Sequence, residues 1–212
     1  MQRVTSYHHG NLRSTLIETA TELAATKGPD GVVLREVARL AGVSHNAAYR
    51  HFADREELLA EVAAIGLQRL AAAMRRRLAG VRATEPAARA VARLRATGRA
   101  YVEFALDEPG LFRVAFSTAP APCEGADPYA VLLAALDDLV ALGLLDAARR
   151  DGAAVTCWSA VHGFAELHLT GPLHDTSKRE RTQQLELLLD TLREGLVPEA
   201  GDSSGWSPDV HP

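Results

Sequence analysis

Ser44, His45, Asn46, Tyr49, Arg50 and His51 crowd into eight consecutive positions, and all six are hydrogen-bonding types. Hydroxyls, imidazoles, a carboxamide and a guanidinium in such density suit phosphate oxygens and base edges. A second group, Trp158, His162, Glu166, His168 and His174, invites a different chemistry, either metal ligation or acid–base catalysis. His162 and Glu166 stand one helical turn apart, but His168 turns to another face and no His-Glu-x-x-His arrangement exists. Trp158 and His162, spaced i and i+4, can stack on one face, lining a cavity or filling a core. Neither a nucleophile nor a cofactor loop accompanies them, so no catalytic residue, metal or cofactor is expected.

The elements that must position these groups are helical. Hydrophobic residues make up 47% of the 212 residues, with alanine and leucine dominant and only 5% aromatic, a balance that favours helix over sheet. Leu12, Leu16, Ile17, Ala20, Leu23 and Ala24 recur at helical spacing and predict a first helix from Asn11 to about Lys27. Leu34, Val37, Ala38 and Ala41 mark a short second helix. Gly42 supplies a left-handed turn, and Ser44 caps a third helix reaching about His51. Asp54 with Glu57 starts a fourth helix that ends near the basic run Arg75–Arg77. Further helices are predicted from Thr84-Glu85-Pro86 to about Asp107, over 111–117, and over 128–142, 146–169 and 177–196. The segment 118–127 reads as a loop, and the Pro/Gly/Ser/Asp-rich residues 198–212 as a disordered tail.

Charge is divided unevenly. Residues 1–79 hold 11 Lys/Arg against 8 Asp/Glu, a net +3, whereas residues 80–212 hold 12 against 19, a net −7. A mildly basic N-terminal part joined to an acidic body suggests two jobs in one chain. No run of about 20 apolar residues predicts a membrane span. The N-terminal MQRVTSYHHGNLR lacks the apolar core of a signal peptide. Cys123 and Cys157 have no metal-ligand spacing. The expectation is a cytoplasmic protein without membrane contact.

Helix, glycine turn and helix between Leu34 and Phe52 form a helix-turn-helix, with Ala38 small at the crossing and Val43 plugging the gap. The stretch LREVARLAGVSHNAAYRHFADREELL resembles the N-terminal domain of the TetR family of bacterial transcriptional regulators. Tyr7-His8-His9-Gly10-Asn11-Leu12-Arg13 resembles one branch of it. Trp158-Ser159-Ala160-Val161-His162-Gly163 resembles a regulatory-domain type with a Trp-x-x-x-His-Gly signature. The sequence departs from the family at Val33, where many members carry a capping Ser or Thr, and at Asn46, which brings an amide able to read adenine. Many members also have Lys where Arg55 stands.

The resemblance implies an all-α fold, with a helix-turn-helix domain over 1–53 and a helical ligand-binding and dimerisation domain over 54–197. It implies a regulator, read as a repressor, that binds a palindromic double-stranded DNA operator as a homodimer and is released by a small-molecule effector. His45, Asn46 and Ala47 are the candidates for base contact. Ser44, Tyr49 and His51 are candidates for the DNA surface, with Arg35, Arg50 and Arg55 as phosphate clamps. Tyr101, Phe104, Phe112, Phe116, Trp158 and His162 are the candidate effector lining, grouped around the Pro109-Gly110 corner, with Phe164 nearby. Leu188 and Leu192 extend the final helix's leucine stripe toward a partner subunit. The alternatives are an all-helical enzyme using His162 and Glu166, and a helical scaffold that no longer binds DNA.

Overall fold

A computed structural model describes residues 12–197, and these are all-α. Tyr7 to Asn11 and the 198–212 tail lie outside the described residues. The helices are α1 (Leu12–Lys27), α2 (Leu34–Leu40), α3 (His45–Tyr49), α4 (Arg55–Ala79), α5 (Pro86–Asp107), α6 (Pro109–Ser117), α7 (Pro128–Ala141), α8 (Arg150–Leu169) and α9 (Lys178–Leu196).

Their boundaries follow local chemistry. Gly42 takes φ +71°, the left-handed turn anticipated between α2 and α3. Ser44 Oγ accepts from the Ala47 N–H at 3.2 Å, and Val33 leaves the start of α2 without a side-chain cap. Asp54 accepts from the Glu57 N–H at 2.8 Å. The Glu57 carboxylate reaches back to the Ala53 N–H at 2.7 Å, one residue beyond the usual capping box. Glu85 caps α5 through the Ala87 and Ala88 N–H groups. A capping box at Ser177 and Glu180 opens α9. The third helix stops at Tyr49, two residues short of expectation, and Arg50 and His51 form a turn.

Helices α1 to α3 close over Leu16, Ala20, Val37, Ala48 and Phe52, all buried. A five-residue helix such as α3 has no stability of its own, so its orientation is set by that packing. The 25-residue α4 is about 37 Å long. It starts at the end of the helix-turn-helix and packs on α1, α5, α6 and α7. Helix α5 lies against α4, α7, α8 and α9, making it the centre of the larger layer. Helix α6 wedges between α4 and α1. Its Gly110 permits that close approach, because a Cβ would stand 2.1 Å from the Ala24 carbonyl oxygen and 2.7 Å from that of Ala25.

Candidate nucleic-acid interface and cavity

Burial of Ala48 and Phe52 fixes which side of α3 meets solvent. Ser44, His45, Asn46, Tyr49 and Arg50 are exposed, and Ala47 and His51 are half-buried. Tyr49 is 47% exposed rather than packed on α1, and its ring meets the His45 ring edge-on at 4.5 Å. Arg35, at the start of α2, is also exposed, and a shallow groove runs from it past Arg39 and Val43 to His45. Neighbouring Arg39 is bound by Glu36 at 2.8 Å, and that hydrogen bond holds the Glu36 carboxyl below its ordinary range. Among the described residues, the side chains of Arg35, Asn46 and Arg50 have no hydrogen-bond or ion-pair partner.

Arg55 differs. Its guanidinium donates to the Val32 carbonyl at 2.7 Å and the Pro29 carbonyl at 2.6 Å. The Pro29 carbonyl also accepts from the Val32 N–H at 3.1 Å, so Arg55 at the head of α4 adds a second donor to it and braces the turn between α1 and α2. The sequence pattern placed this cation at a phosphate, whereas the structure spends it on the loop that orients α2.

Five of the six candidate lining residues form one ring cluster. The Tyr101 ring lies 5.7 Å from Phe112, 6.0 Å from Phe116, 5.0 Å from Trp158 and 6.2 Å from His162. Phe116 meets His162 at 5.0 Å and Trp158 at 6.1 Å. Burial keeps the Tyr101 phenol protonated well above its ordinary range, with the Glu166 charge adding to the effect. The phenol oxygen and His162 Nδ1 share a hydrogen bond of 2.7 Å. Phe104 is not in the cluster. It faces a groove between α4 and α5 beside Arg76, Arg77 and Glu103. Phe164 also lies elsewhere, against His168 at 4.2 Å.

Neighbouring rings of the cluster lie 4.8–6.2 Å apart, centroid to centroid. A narrow cavity of about 30 Å³ lies on the far side of Tyr101 and Trp158, among α4, α5, α7, α8 and α9. Its walls are apolar, with Met74, Leu94, Leu132, Val161 and Leu189 prominent. Phe112, Phe116 and His162 do not reach it. Cys157 does, and burial pushes its thiol up to about 11.

Two family models divide the chain between them. Residues 16–62 match the model of bacterial regulatory proteins of the tetR family, and residues 94–192 match the tetracyclin repressor-like C-terminal domain. The chain belongs to the TetR family. A solved structure of a protein with unknown function from Rhodococcus sp. RHA1 is 30% identical, with 91% of this chain and 99% of that chain covered and a TM-score of 0.74. A tetR-family bacterial regulatory protein from Rhodococcus RHA1 is 21% identical, with coverage of 85% and 96% and a TM-score of 0.59. A TetR family transcription regulator from Marinobacter aquaeolei VT8 is 17% identical, with coverage of 89% and 96% and a TM-score of 0.63. These last two share the fold. No curated protein matches the chain.

As a TetR-family transcription regulator, the chain carries its helix-turn-helix as a DNA-binding unit. The histidines go separate ways. His162 is held by Tyr101 rather than by Glu166. Buried His168 bridges the Phe164 carbonyl and Gln184, and His174 sits exposed beside Asp175. Among the described residues no three His, Cys, Asp or Glu side chains group as metal ligands, and no helix is long and apolar enough to cross a membrane.

The sequence pattern also missed residues at the cavity. Leu94, Thr97, Gly98 and Tyr101 line it from α5, at the i, i+3, i+4, i+7 spacing that marks one helix face. Tyr129, 5.4 Å from Trp158, extends the ring cluster onto α7. Arg95 and Arg193 line the cavity too, and spacing alone did not single them out.

Proposed function

We propose that the chain is a ligand-released repressor that binds a palindromic operator as a homodimer in the cytoplasm. The observation that carries this reading is the two-sided character of α3. One side is buried through Ala48 and Phe52, and the other offers His45, Asn46, Tyr49 and Arg50 to a partner outside the fold. His45, Asn46 and Ala47, at the N-terminal end of α3, read bases. Ser44, Tyr49, His51, Arg35 and Arg50 hold the backbone. The reading head comprises residues 1–53, and residues 54–197 hold the effector and the partner subunit.

The exposed face of α8 and α9 supports dimerisation. Val155 is 59% exposed and Leu187 68%, and Gly152 and Gly163 on the same face have open space around them. Leu188 and Leu192, first assigned to the partner, are half-buried within the subunit, and Leu192 lines the cavity. Leu187 takes their place in the proposed interface. Two copies packed through α8 and α9 form a four-helix bundle, and operator binding then requires the two α3 helices about 34–36 Å apart or a multiple of that. An effector in the cavity shifts the population toward a different spacing.

Footprinting of the upstream intergenic DNA tests the reading, with a protected inverted repeat as the expected result. Asn46→Ala should lose about 1–3 kcal/mol of discrimination at one base pair. Arg50→Ala should weaken all sequences alike and lower the salt slope by about one. A chain with no salt-dependent affinity for any duplex is the helical scaffold instead.

A further inference from the structure

Two grooves flank α3, and they differ in charge. On the α1 side, Ser44, Ala47, Arg50 and His51 line a groove that has no carboxylate among the described residues. On the α2 side, Arg35, Arg39 and His45 line a groove together with Glu36. Arg35 and Arg39 stand one helical turn apart on the same face of α2, so both cations belong to that groove. Their states differ. Glu36 engages Arg39 through two parallel hydrogen bonds, from Nε to Oε2 and from Nη2 to Oε1, both 2.8 Å. The guanidinium is the outer partner, 67% exposed against 34% for the carboxylate beneath it. The bond from Arg39 holds the Glu36 carboxyl below its ordinary range, so it stays ionised near neutral pH.

We propose that Glu36 is a brake on sequence-independent DNA affinity, a carboxylate kept in a phosphate-facing groove that withholds Arg39 from the duplex. On the DNA-binding reading above, on which this assignment rests, α3 lies in the major groove and the residues beside its N-terminal end stand opposite a phosphate strand. Each cation that neutralises a phosphate there releases counterions and tightens every sequence alike. Arg35 is free to do so. Arg39 arrives already neutralised, and the carboxylate beneath it repels the same phosphate. Exposed ion pairs of this kind contribute little to the fold, so the effect of the pair falls on the duplex. With the sequence-independent attraction held down, base contacts from α3 carry a larger share of operator affinity. A purely structural role for Glu36, as an acid in the first turn of α2, has the opposite sign. Losing it would then loosen the helix that carries Arg35 and weaken binding.

Fluorescence anisotropy of the full chain with a labelled duplex of arbitrary sequence, about 30 base pairs long, tests this over about 0.05–0.3 M potassium chloride. Glu36→Gln should tighten binding about five- to ten-fold at about 0.1 M salt, and steepen the slope of log affinity against log salt by about 0.9 per reading head. Arg39→Gln should weaken binding and flatten the slope, because it leaves the carboxylate alone before the phosphates. The double variant should return close to the parent. An unchanged slope in Glu36→Gln would overturn the proposal. So would looser binding, which would make Glu36 a support of α2 instead. If Glu36→Gln fails to fold, Arg39→Gln decides alone, since it keeps the first-turn carboxylate; unchanged affinity there overturns the brake. Arg35→Gln separates the two readings. A flatter slope in that variant, with no change at Glu36 or Arg39, keeps the DNA-binding surface and removes the brake. A parent chain with no salt-dependent affinity for the duplex removes both.

Discussion

Gly110→Ala places a methyl group where α6 touches α1. The new carbon would stand 2.1 Å from the Ala24 carbonyl oxygen and 2.7 Å from the Ala25 oxygen. Ordinary carbon–oxygen contacts begin near 3.3 Å, so one helix must move by about 1 Å. Both obstacles are backbone in the last turn of α1, and neither can rotate away. Overpacking of this kind costs about 1–3 kcal/mol, and an unyielding neighbour puts the cost at the upper end. Alanine regains up to about 1 kcal/mol as a better helix former than glycine. The net loss is about 1–2 kcal/mol, or roughly 2–8 °C in melting temperature for a chain of this size. Thermal and urea melts measure it. Gly195→Ala is the control, since nothing lies within 4 Å of its added carbon, and it should raise stability by up to about 1 kcal/mol. Operator binding by the Gly110 variant should respond less to effector, because α6 no longer seats on α1. A melting temperature equal to the parent's, with unchanged effector response, would refute the close contact and the coupling drawn from it.

Val155→Glu combined with Leu187→Glu should give a helical monomer that no longer binds the full operator, and sedimentation showing a monomeric parent at micromolar concentration would refute that interface. Arg55→Ala should cost about 1–2 kcal/mol through the lost carbonyl bonds, discounted for partial exposure, while leaving the salt slope of DNA binding unchanged; a slope lower by about one would return Arg55 to a phosphate. Burial raises the Cys157 thiol from its ordinary value near 9.0 to about 11, so its contribution is complete below about pH 9 and is lost as pH rises through about 11. Cys157→Ala should accordingly remove about 2–3 kcal/mol of that alkaline loss, and an unaltered pH profile in denaturant melts would contradict it.

Much of the fold was legible because its punctuation is local. Ser44, Asp54 and Glu85-Pro86 each act within a turn of themselves, and the helices start where those residues stand; α6 starts at Pro109, two residues before the expected Leu111, because proline fits the first turn of a helix as well as ending one. Leucine spacing likewise announced α9. Direction was less legible. Helical spacing put Tyr101 and Phe104 on one face, yet α8 claims Tyr101 and the α4–α5 groove claims Phe104. The stripe of leucines on α9 said nothing about which edge its own subunit would cover. Leu188 and Leu192 went partly inward, and Leu187 was left out. The partners of Arg55 were illegible for a similar reason, since the carbonyls that hold it lie 23 and 26 residues away in sequence.

The separation of ring cluster and cavity changes how a signal can travel. A cavity centred among the six rings would have made them the binding site. Instead Tyr101 and Trp158 belong to both structures, with the cavity on one side and Phe112 and Phe116 on the other. On the proposed reading, a ligand presses on those two residues, and the phenylalanines behind them are carried by α6. That helix has nine residues and seats on α1 through Gly110. A close-packed interior does not absorb such a displacement in small compressions but passes it to the next contact. On that reading the ring cluster is the connecting piece between effector and reading head, and its ring-to-ring contacts let a small movement at Tyr101 reach α1.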